Sequence, residues 1–289
     1  MKVLIYGHKG WIGSQFLEIM DCNKINYIKG LSRVDNEESL ISEINEVCPT
    51  HIISFIGRTH GPGFSTIDYL EQDGKIVDNI RDNLFSPLLL AQICTKKNIH
   101  YTYLGTGCIF EYDENHLFGK EVNGFSENSK PNFFGSSYSV VKGFTDRLMH
   151  QYSNSVLNLR IRMPITNMNN PRNFITKITN YEKICSIPNS MTVLPELLPI
   201  VLDMMKNNNT GTINLTNPGL ISHNRILELY REIVDSEFTW KNFSIEEQDI
   251  ILASKRSNNY LDTKKLEYLY PNVLNIEDAV IKMLQSWKK

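Results

Sequence analysis

Apolar residues in the first half of the chain follow two alternating patterns. Short aliphatic and β-branched runs, typical of strands, are separated by stretches in which apolar residues recur at helical spacing. Strands are predicted at Lys2–Tyr6, Tyr27–Leu31, His51–Phe55, His100–Leu104 and Leu157–Met163. Helices are predicted at Trp11–Met20 and Glu37–Cys48, and a long helix is predicted to end near Lys97. This alternation predicts an α/β fold with a Rossmann-type, doubly wound parallel sheet whose ligands bind beyond the carboxyl ends of the strands.

The second half of the chain has a different composition and shorter predicted elements. After Met163 come Pro164, the Asn-rich segment Asn167–Asn170 and Pro171, and then shorter predicted helices at Val193–Lys206 and His223–Val234. We therefore predict a Rossmann domain over residues 1–165 and a smaller C-terminal α/β lobe over residues 166–289 that mainly binds substrate. Some of the chain is expected to return from the second part to the first.

Composition narrows the class of partner. With 30 basic and 32 acidic residues the formal charge is -2, which gives no broad positive field for nucleic acid and favours a small molecule. The apolar runs fall short of the roughly 20 residues of a membrane span, and the N-terminal run is too short for a secretory signal. We expect a cytoplasmic protein without a membrane segment. Five scattered cysteines with no C-x-x-C pair predict no metal site.

A glycine-rich turn follows the first predicted strand. Gly7, Gly10 and Gly13 form a G-x-x-G-x-x-G pattern, with Trp11 and Ile12 opening the predicted helix. Glycines at such a turn allow close backbone approach to a pyrophosphate, which the N–H groups and dipole of the helix N-terminus attract. The turn therefore predicts a dinucleotide site.

The end of the second predicted strand suggests which dinucleotide binds. Ser32-Arg33 stands where a protein specific for NAD carries an acidic residue for the ribose hydroxyls. An arginine suits a 2′-phosphate instead, so NADPH is the predicted cofactor, with NADH as the alternative if Arg33 is only a solvated loop charge.

A tyrosine and a lysine stand four residues apart in Tyr138-Ser139-Val140-Val141-Lys142. On a helix they share one face, where the ammonium favours the phenolate and lets Tyr138 give a proton to a carbonyl oxygen. Thr106 ends a strand about 30 residues earlier, where a hydroxyl can hold the same carbonyl. These residues predict a Thr106, Tyr138 and Lys142 catalytic group; the alternative is a surface Tyr–Lys pair with Thr106 capping a loop.

These motifs resemble the extended short-chain dehydrogenases/reductases. Within them, the chain is most similar to the bifunctional UDP-4-keto-6-deoxy-glucose 3,5-epimerase/4-reductases that make UDP-rhamnose. The resemblance covers nearly the whole chain, and its most specific stretches are Gly10–Gly13, Gly105–Asp113, Arg162–Ile165, Asn170–Lys177, Pro188–Leu194, Asn217–Gly219, Ser222–Asn224 and Arg256–Asn259. The segment after Ile56 is similar to the family only in character.

The resemblance implies roles for a thiol and an amine. The related dehydratases carry an Asp-Glu pair after the threonine, where this chain has Gly107-Cys108. The related fucose synthases, which epimerise before they reduce, carry a cysteine at the position of Cys108. Cys108 is therefore expected to be the base that removes the C3 and C5 protons, once a nearby cation favours its thiolate. Lys177 is expected to be the acid on the opposite sugar face; the alternative is a lysine on a helix surface.

The resemblance also implies the remaining partners. A nucleotide-diphosphate sugar is the expected substrate, and Asn173 and Arg256 are the candidates for holding it. The guanidinium of Arg256 matches phosphate oxygens, although an interdomain salt bridge is an alternative. A homodimer is expected from the family alone. Two other functions remain open: a 4-reductase without epimerase activity, of the dTDP-4-keto-rhamnose type, and a non-catalytic Rossmann regulatory subunit.

Overall fold

A computed structural model describes residues 1–117 and 123–288 of the chain. Its strands are β1 Lys2–Tyr6, β2 Asn26–Lys29, β3 His51–Ser54, β4 His100–Thr106, β5 Val156–Ile161, β6 Pro164–Ile165, β7 Thr192–Val193 and β8 Gly211–Asn214. Within the described residues the main sheet has the order β2-β1-β3-β4-β5-β8. The pairs β1–β2, β1–β3 and β3–β4 are parallel. The predicted α/β fold with a Rossmann-type parallel sheet is confirmed.

The helices cover the stretches between the strands. They are α1 Trp11–Cys22, α2 Glu37–Val47, α3 Lys75–Ile80, α4 Ser86–Lys96, α5 Ser137–Met149, α6 Phe174–Thr179, α7 Leu194–Lys206, α8 His223–Ile233, α9 Ile245–Ile251, α10 Lys264–Leu269 and α11 Ile276–Gln285. Short 3₁₀ turns lie at Ile67–Glu71 and His150–Tyr152.

The long helix predicted to end near Lys97 is interrupted in the structure. A π-helical turn at Arg81–Phe85 separates α3 from α4. Pro87 lies at the start of α4 and has no N–H to donate to the carbonyl of Asn83 four residues earlier. That carbonyl instead accepts a hydrogen bond of 2.6 Å from the Thr145 hydroxyl of α5. The proline explains the interruption, and Thr145 compensates for it.

Contacts divide the chain into two compact units. Unit 1 comprises Met1–Thr106, Ser137–Arg160 and Leu198–Ile213, and unit 2 comprises Gly107–Ser136, Ile161–Leu197 and Asn214–Lys289. Unit 2 thus includes Gly107–Ser136 from within the predicted first domain, and unit 1 includes Leu198–Ile213 from within the predicted second. The two units therefore interleave along the chain, and the roles assigned to the two predicted domains stay predictions.

Each unit has its own hydrophobic core. In unit 1 side chains from the sheet and its helices are buried together, among them Leu4, Ile52, Leu90 and Tyr101. In unit 2 the core packs β6 and β7 with α6, α8 and α11, and its members include Ile165, Val193, Leu227, Val280 and Leu284. No helix in the described part of the chain has the length and apolar character needed to cross a membrane.

Candidate active site

The glycine turn of unit 1 has the geometry of a phosphate-binding loop. Gly7 has a φ of +73°, and a Cβ there would come within 2.8 Å of the Phe55 backbone. A Cβ on Gly13 would lie 2.4 Å from the carbonyl oxygen of Gly7. The helix α1 begins after Gly10 without a side-chain cap, which leaves its first N–H groups to bind another partner. The turn can therefore receive an anion at a helix N-terminus.

Two buried nitrogens beside this turn support a ligand at the same place. Within the described residues, His8 Nδ1 and Trp11 Nε1 are buried and have no hydrogen-bond partner. Buried polar atoms normally find a partner, so such orphans indicate a group that the chain alone does not supply. Ile12, next to Trp11, is half-buried in the first turn of α1.

Arg33 lies beyond the carboxyl end of β2 and is largely exposed. Its side chain is 70% exposed and forms two hydrogen bonds with Asp35, from Nε at 3.0 Å and from Nη2 at 2.8 Å. The guanidinium hydrogen bond and charge lower the pKa of Asp35. An incoming phosphate would therefore compete with the Asp35 carboxylate for Arg33.

Thr106, Tyr138 and Lys142 all belong to unit 1, at the end of β4 and in the first turns of α5. Thr106 is the last residue of β4, and Tyr138 lies in the first turn of α5; both are buried. The ammonium of Lys142, one turn further along α5, donates to the hydroxyl of Tyr103 and to the carbonyl of Leu104 at 3.5 Å. These two contacts hold α5 against the end of β4.

Tyr103 is a partner of Lys142 that the sequence did not reveal. Burial raises the pKa of its hydroxyl well above the usual value, and nearby Tyr138 contributes to the rise. The neutral hydroxyl accepts the hydrogen bond from Lys142. The sequence shows only that Tyr103 lies three residues before Thr106 on β4. That spacing does not predict the contact with Lys142, which depends on the packing of α5 against β4.

Cys108 belongs to unit 2 and lies beside a buried arginine. The thiol is half-buried, and Nη1 of Arg162 lies 3.6 Å from its sulfur. The Gly107 carbonyl accepts hydrogen bonds from Asn259 at 2.9 Å and from Arg162 at 3.4 Å. These bonds fix the backbone just before Cys108, and they identify Arg162 as a second residue that sequence reasoning missed.

Lys177 is a half-buried lysine in the short helix α6. Burial lowers its pKa, and the charges of Arg172 and Arg256 lower it further. A lowered pKa makes an ammonium a stronger proton donor near neutral pH. Lys177 thus has the character expected of an acid.

Asn173 is fully buried, and its side-chain amide is occupied by the backbone. Its oxygen accepts from the N–H groups of Thr166 and Ile175, each at 3.3 Å. Its nitrogen donates to the carbonyls of Thr166 and Met168, each at 2.8 Å. An amide has two donors and two acceptor positions, so this geometry supports a role in holding the start of α6 rather than direct contact with substrate.

Arg256 is half-buried, and its Nη1 donates to the carbonyl of Ser254 at 3.0 Å and to the hydroxyl of Ser254 at 2.5 Å. These contacts position the guanidinium, which also lies close enough to Lys177 to lower its pKa. Within unit 2, Cys108 therefore lies beside Arg162, and Lys177 lies near the charges of Arg172 and Arg256.

The chain was compared with protein-family models, and none matches. Individual proteins do match. Protein L780 of Acanthamoeba polyphaga mimivirus is 58% identical over 288 residues, covering 100% of this chain and 99% of that protein. A crystal structure of L780, described as a UDP-rhamnose synthase, has a TM-score of 0.96 at 57% identity and covers 99% of both chains.

A plant protein and a bacterial structure extend the comparison. A bifunctional dTDP-4-dehydrorhamnose 3,5-epimerase/dTDP-4-dehydrorhamnose reductase of Arabidopsis thaliana is 45% identical over 282 residues, covering 97% of this chain and 91% of the plant protein. A dTDP-4-dehydrorhamnose reductase of Bacillus anthracis, solved in complex with NADP, has a TM-score of 0.77 at 16% identity and covers 98% of this chain and 96% of its own. At that identity the bacterial structure shows only a common fold.

Proposed function

The chain belongs to the family of extended short-chain dehydrogenases/reductases that make UDP-rhamnose, and on that premise we propose that it converts UDP-4-keto-6-deoxy-D-glucose to UDP-L-rhamnose with NADPH. The reaction has two parts, inversion at C3 and C5 and then reduction of the C4 ketone. The proposed enzyme is thus an isomerase and an oxidoreductase in one chain.

The observation that carries the proposal is the segment Thr106-Gly107-Cys108 at the end of β4. A reductase needs the hydroxyl of Thr106 but has no use for a thiol two residues later. Here the thiol is half-buried, and its sulfur lies 3.6 Å from a guanidinium nitrogen of Arg162. A base for epimerisation requires such a thiol with a cation beside it.

Epimerisation requires a base and an acid that act on opposite faces of the sugar. The protons on C3 and C5 are acidic because the enolate formed on their removal delocalises onto the C4 oxygen. Cys108 is proposed as the base that removes each proton, and Lys177, whose pKa burial lowers, as the acid that returns one. Thr106 and Tyr138 are proposed to hydrogen-bond the C4 oxygen as its charge develops.

Reduction uses the residues of unit 1. When bound, the dihydronicotinamide of NADPH supplies a hydride to C4. Tyr138 is proposed to donate the proton to the C4 oxygen, and Lys142, anchored by Tyr103 and Leu104, to stabilise the phenolate that remains. Thr106 is proposed to hold the ketone in place.

The residues around the glycine turn fit a dinucleotide. Gly7, Gly10 and Gly13 leave room for a pyrophosphate at the start of α1, where Trp11 and Ile12 would lie against it. The buried His8 Nδ1 and Trp11 Nε1, which lack partners in the described chain, are further support. NADPH rather than NADH is proposed because Arg33 follows β2 and can bind a 2′-phosphate. The glycine turn fits either cofactor, because both contain the pyrophosphate.

The nucleotide diphosphate is proposed to bind at Arg256, whose guanidinium can donate two parallel hydrogen bonds to phosphate oxygens. Asn173 is proposed to act indirectly, because its amide already binds four backbone groups around the start of α6. A homodimer is also proposed, supported by exposed apolar side chains on α3 and α5 of unit 1.

The test is a reaction in deuterium oxide with UDP-4-keto-6-deoxy-D-glucose and NADPH, followed by cofactor absorbance and mass spectrometry of the product. The proposal expects UDP-rhamnose with deuterium at C3 and C5. Cys108→Ser should lose the deuterium incorporation and still reduce a sugar that is already epimerised. Cys22→Ser, at an exposed cysteine of unit 1, is the matched control and should behave as the native protein.

Other outcomes would favour the other functions. Reduction without deuterium at C3 and C5 would identify a 4-reductase alone, and NADPH binding without turnover would favour a regulatory subunit. Parallel reactions with the dTDP sugar would show which nucleotide is preferred. Normal epimerisation by Cys108→Ser would reject Cys108 as the base.

A further inference from the structure

Arg162 is a buried cation directly after β5. Its side chain is 1% exposed. A charged guanidinium in the interior is costly unless opposite charge and hydrogen bonds compensate for it. Its role is therefore defined by the groups around it in unit 2.

The hydrogen bonds of Arg162 all go to neutral groups or to a thiol. Nη1 donates to the Ser257 hydroxyl at 2.9 Å, the Gly107 carbonyl at 3.4 Å and the Cys108 sulfur at 3.6 Å. Nη2 donates to the amide oxygen of Asn189 and to the Ser257 carbonyl at 2.5 Å. In residues 1–117 and 123–288 no carboxylate forms an ion pair with this guanidinium, and its buried Nε has no hydrogen-bond partner.

Arg160 is a buried arginine whose charge is paired with a carboxylate, and it serves as a comparison for Arg162. It is equally buried in unit 1 and binds the Asp146 carboxylate through Nε at 2.9 Å and Nη2 at 2.8 Å. That paired geometry neutralises its charge. Among the described residues Arg162 has no such partner, which directs attention to the other groups near it that can ionise.

In the part of the chain that the structure describes, the Cys108 thiol and the Tyr112 phenol are the neighbours of Arg162 that can become anionic. Burial raises the pKa of Tyr112 to about 12 despite the opposing effect of Arg162, and the hydroxyl donates to the Pro188 carbonyl at 2.9 Å. Tyr112 is therefore neutral at physiological pH. His223, the other titratable group that senses Arg162, has its pKa lowered to about 4, chiefly by burial, and is neutral as well.

We propose that Arg162 is the counter-ion of Cys108, offsetting the charge that the sulfur carries when it acts as the base and fixing its direction through the Gly107 backbone. Arg162 is thus a positioning residue that acts through Cys108. This inference rests on the proposed function, in which Cys108 is the base.

The step to which Arg162 contributes is balanced in charge and protons. The Cys108 thiolate forms an S–H bond with the proton of C3 or C5, and the electron pair of the broken C–H bond becomes the C4 enolate. Lys177 then gives a proton to the opposite face of that carbon. Solvent removes the proton from Cys108 and returns one to Lys177, which restores both groups. Negative charge therefore begins on sulfur, where Arg162 offsets it.

The test is the rate at which iodoacetamide alkylates Cys108 at pH 7, followed by mass spectrometry of its peptide. Exposed Cys22 in the same protein is the internal reference. Because the thiolate is the nucleophile and an opposite charge within about 4–6 Å favours the ionised form, Arg162→Gln should slow the alkylation of Cys108 relative to that of Cys22 by about tenfold or more. An unchanged ratio of the two rates would overturn the proposal.

Two further variants separate the charge of Arg162 from its structural role. Arg162→Lys keeps the charge, so the rate of Cys108 alkylation should stay closer to the native value. Lys282→Gln removes an exposed cation of unit 2 and should leave that rate unchanged. A loss of epimerisation in both Arg162 variants with no change in the alkylation rate would show that Arg162 is only structural.

The two proposals fail in different ways. Deuterium incorporation by Cys108→Ser would reject Cys108 as the base while leaving the alkylation result intact. An unchanged rate of Cys108 alkylation in Arg162→Gln, together with loss of deuterium incorporation in Cys108→Ser, would reject Arg162 as the counter-ion and leave Cys108 as the base.

Discussion

At the scale of single side chains, a substitution of Arg33 tests whether the cofactor is NADPH or NADH. Its guanidinium faces Asp35, and the proposed 2′-phosphate would share or displace that carboxylate. Arg33→Ser should raise the KM for NADPH about tenfold or more and leave the KM for NADH nearly unchanged. Steady-state kinetics with both cofactors measures the effect.

Asp35→Asn is the matched variant for Arg33. It removes the competing charge and keeps the guanidinium, so the KM for NADPH should fall or stay the same. An Arg33→Ser enzyme with an unaltered ratio of the two KM values would mean that Arg33 is a solvated loop charge.

His223 predicts a dependence of stability on pH. Its Nδ1 donates to the Cys185 carbonyl at 2.6 Å, and its Nε2 is buried with no partner among the described residues. Burial and the nearby charge of Arg162 lower its pKa to about 4, against about 6.5 for an unfolded histidine. Between these values the unfolded chain binds the additional proton, so the free energy of unfolding falls as the pH drops from 6.5 towards 4.

The variant His223→Gln should weaken this dependence. Its loss of stability between pH 7.5 and pH 5 should be smaller than that of the native protein by roughly 2 kcal/mol. His51 and His100, whose pKa values burial also lowers, contribute equally to both proteins and cancel in the difference. Urea unfolding at the two pH values measures it, and parallel pH profiles would contradict the assignment.

At the scale of helices, the start of α6 determines where Lys177 lies. Asn173→Ala removes the helix cap and three further hydrogen bonds, two of them fully buried, and should lower the free energy of unfolding by about 2–4 kcal/mol. Asn275→Ala is the matched control, because Asn275 caps α11 at an exposed position and should cost about 1 kcal/mol. Urea unfolding of both variants compares them; equal losses would contradict the special role of Asn173.

The helices and strands also show what a sequence pattern can predict. The five predicted strands match β1 to β5 to within two residues at each end. In β1, β3, β4 and β5 at most one residue is not buried, so apolar runs mark these strands in the sequence. β8 was missed, since Gly211–Asn214 contains mostly polar or small residues. It forms a strand by pairing with β5 at the edge of the sheet. The interruption before α4 depends on Thr145, which lies 62 positions from the carbonyl it binds.

The same distinction holds for the site. The positions of Tyr138 and Lys142 follow from helical spacing, and the glycine turn follows from its place between a strand and a helix. Arg162 became a candidate only in the structure, because its partner Ser257 lies 95 positions away in the chain. Asn173 was predicted to hold substrate, whereas the structure supports a cap of α6. The sequence does not show this, because the four backbone groups that bind its amide come together only in the folded chain.

At the scale of the whole molecule, the exposed apolar side chains of unit 1 bear on its assembly. Ile76, Val77 and Ile80 of α3 are 43–65% exposed, and Phe144 and Leu148 of α5 are 60% and 41% exposed. The two helices pack against each other, so these side chains belong to neighbouring elements. Apolar groups that accumulate on one part of a surface commonly mark an interface.

The proposed homodimer predicts the effect of a charge placed among these side chains. Native protein at micromolar concentration should have about twice the chain mass of 33.3 kDa in light scattering, and Phe144→Glu should shift it towards the monomer because burying an unpaired carboxylate opposes association. Ile250→Glu, at a residue of α9 that is 86% exposed, is the control and should stay dimeric. A native monomer would reject the dimer, and a dimeric Phe144→Glu would place the interface elsewhere.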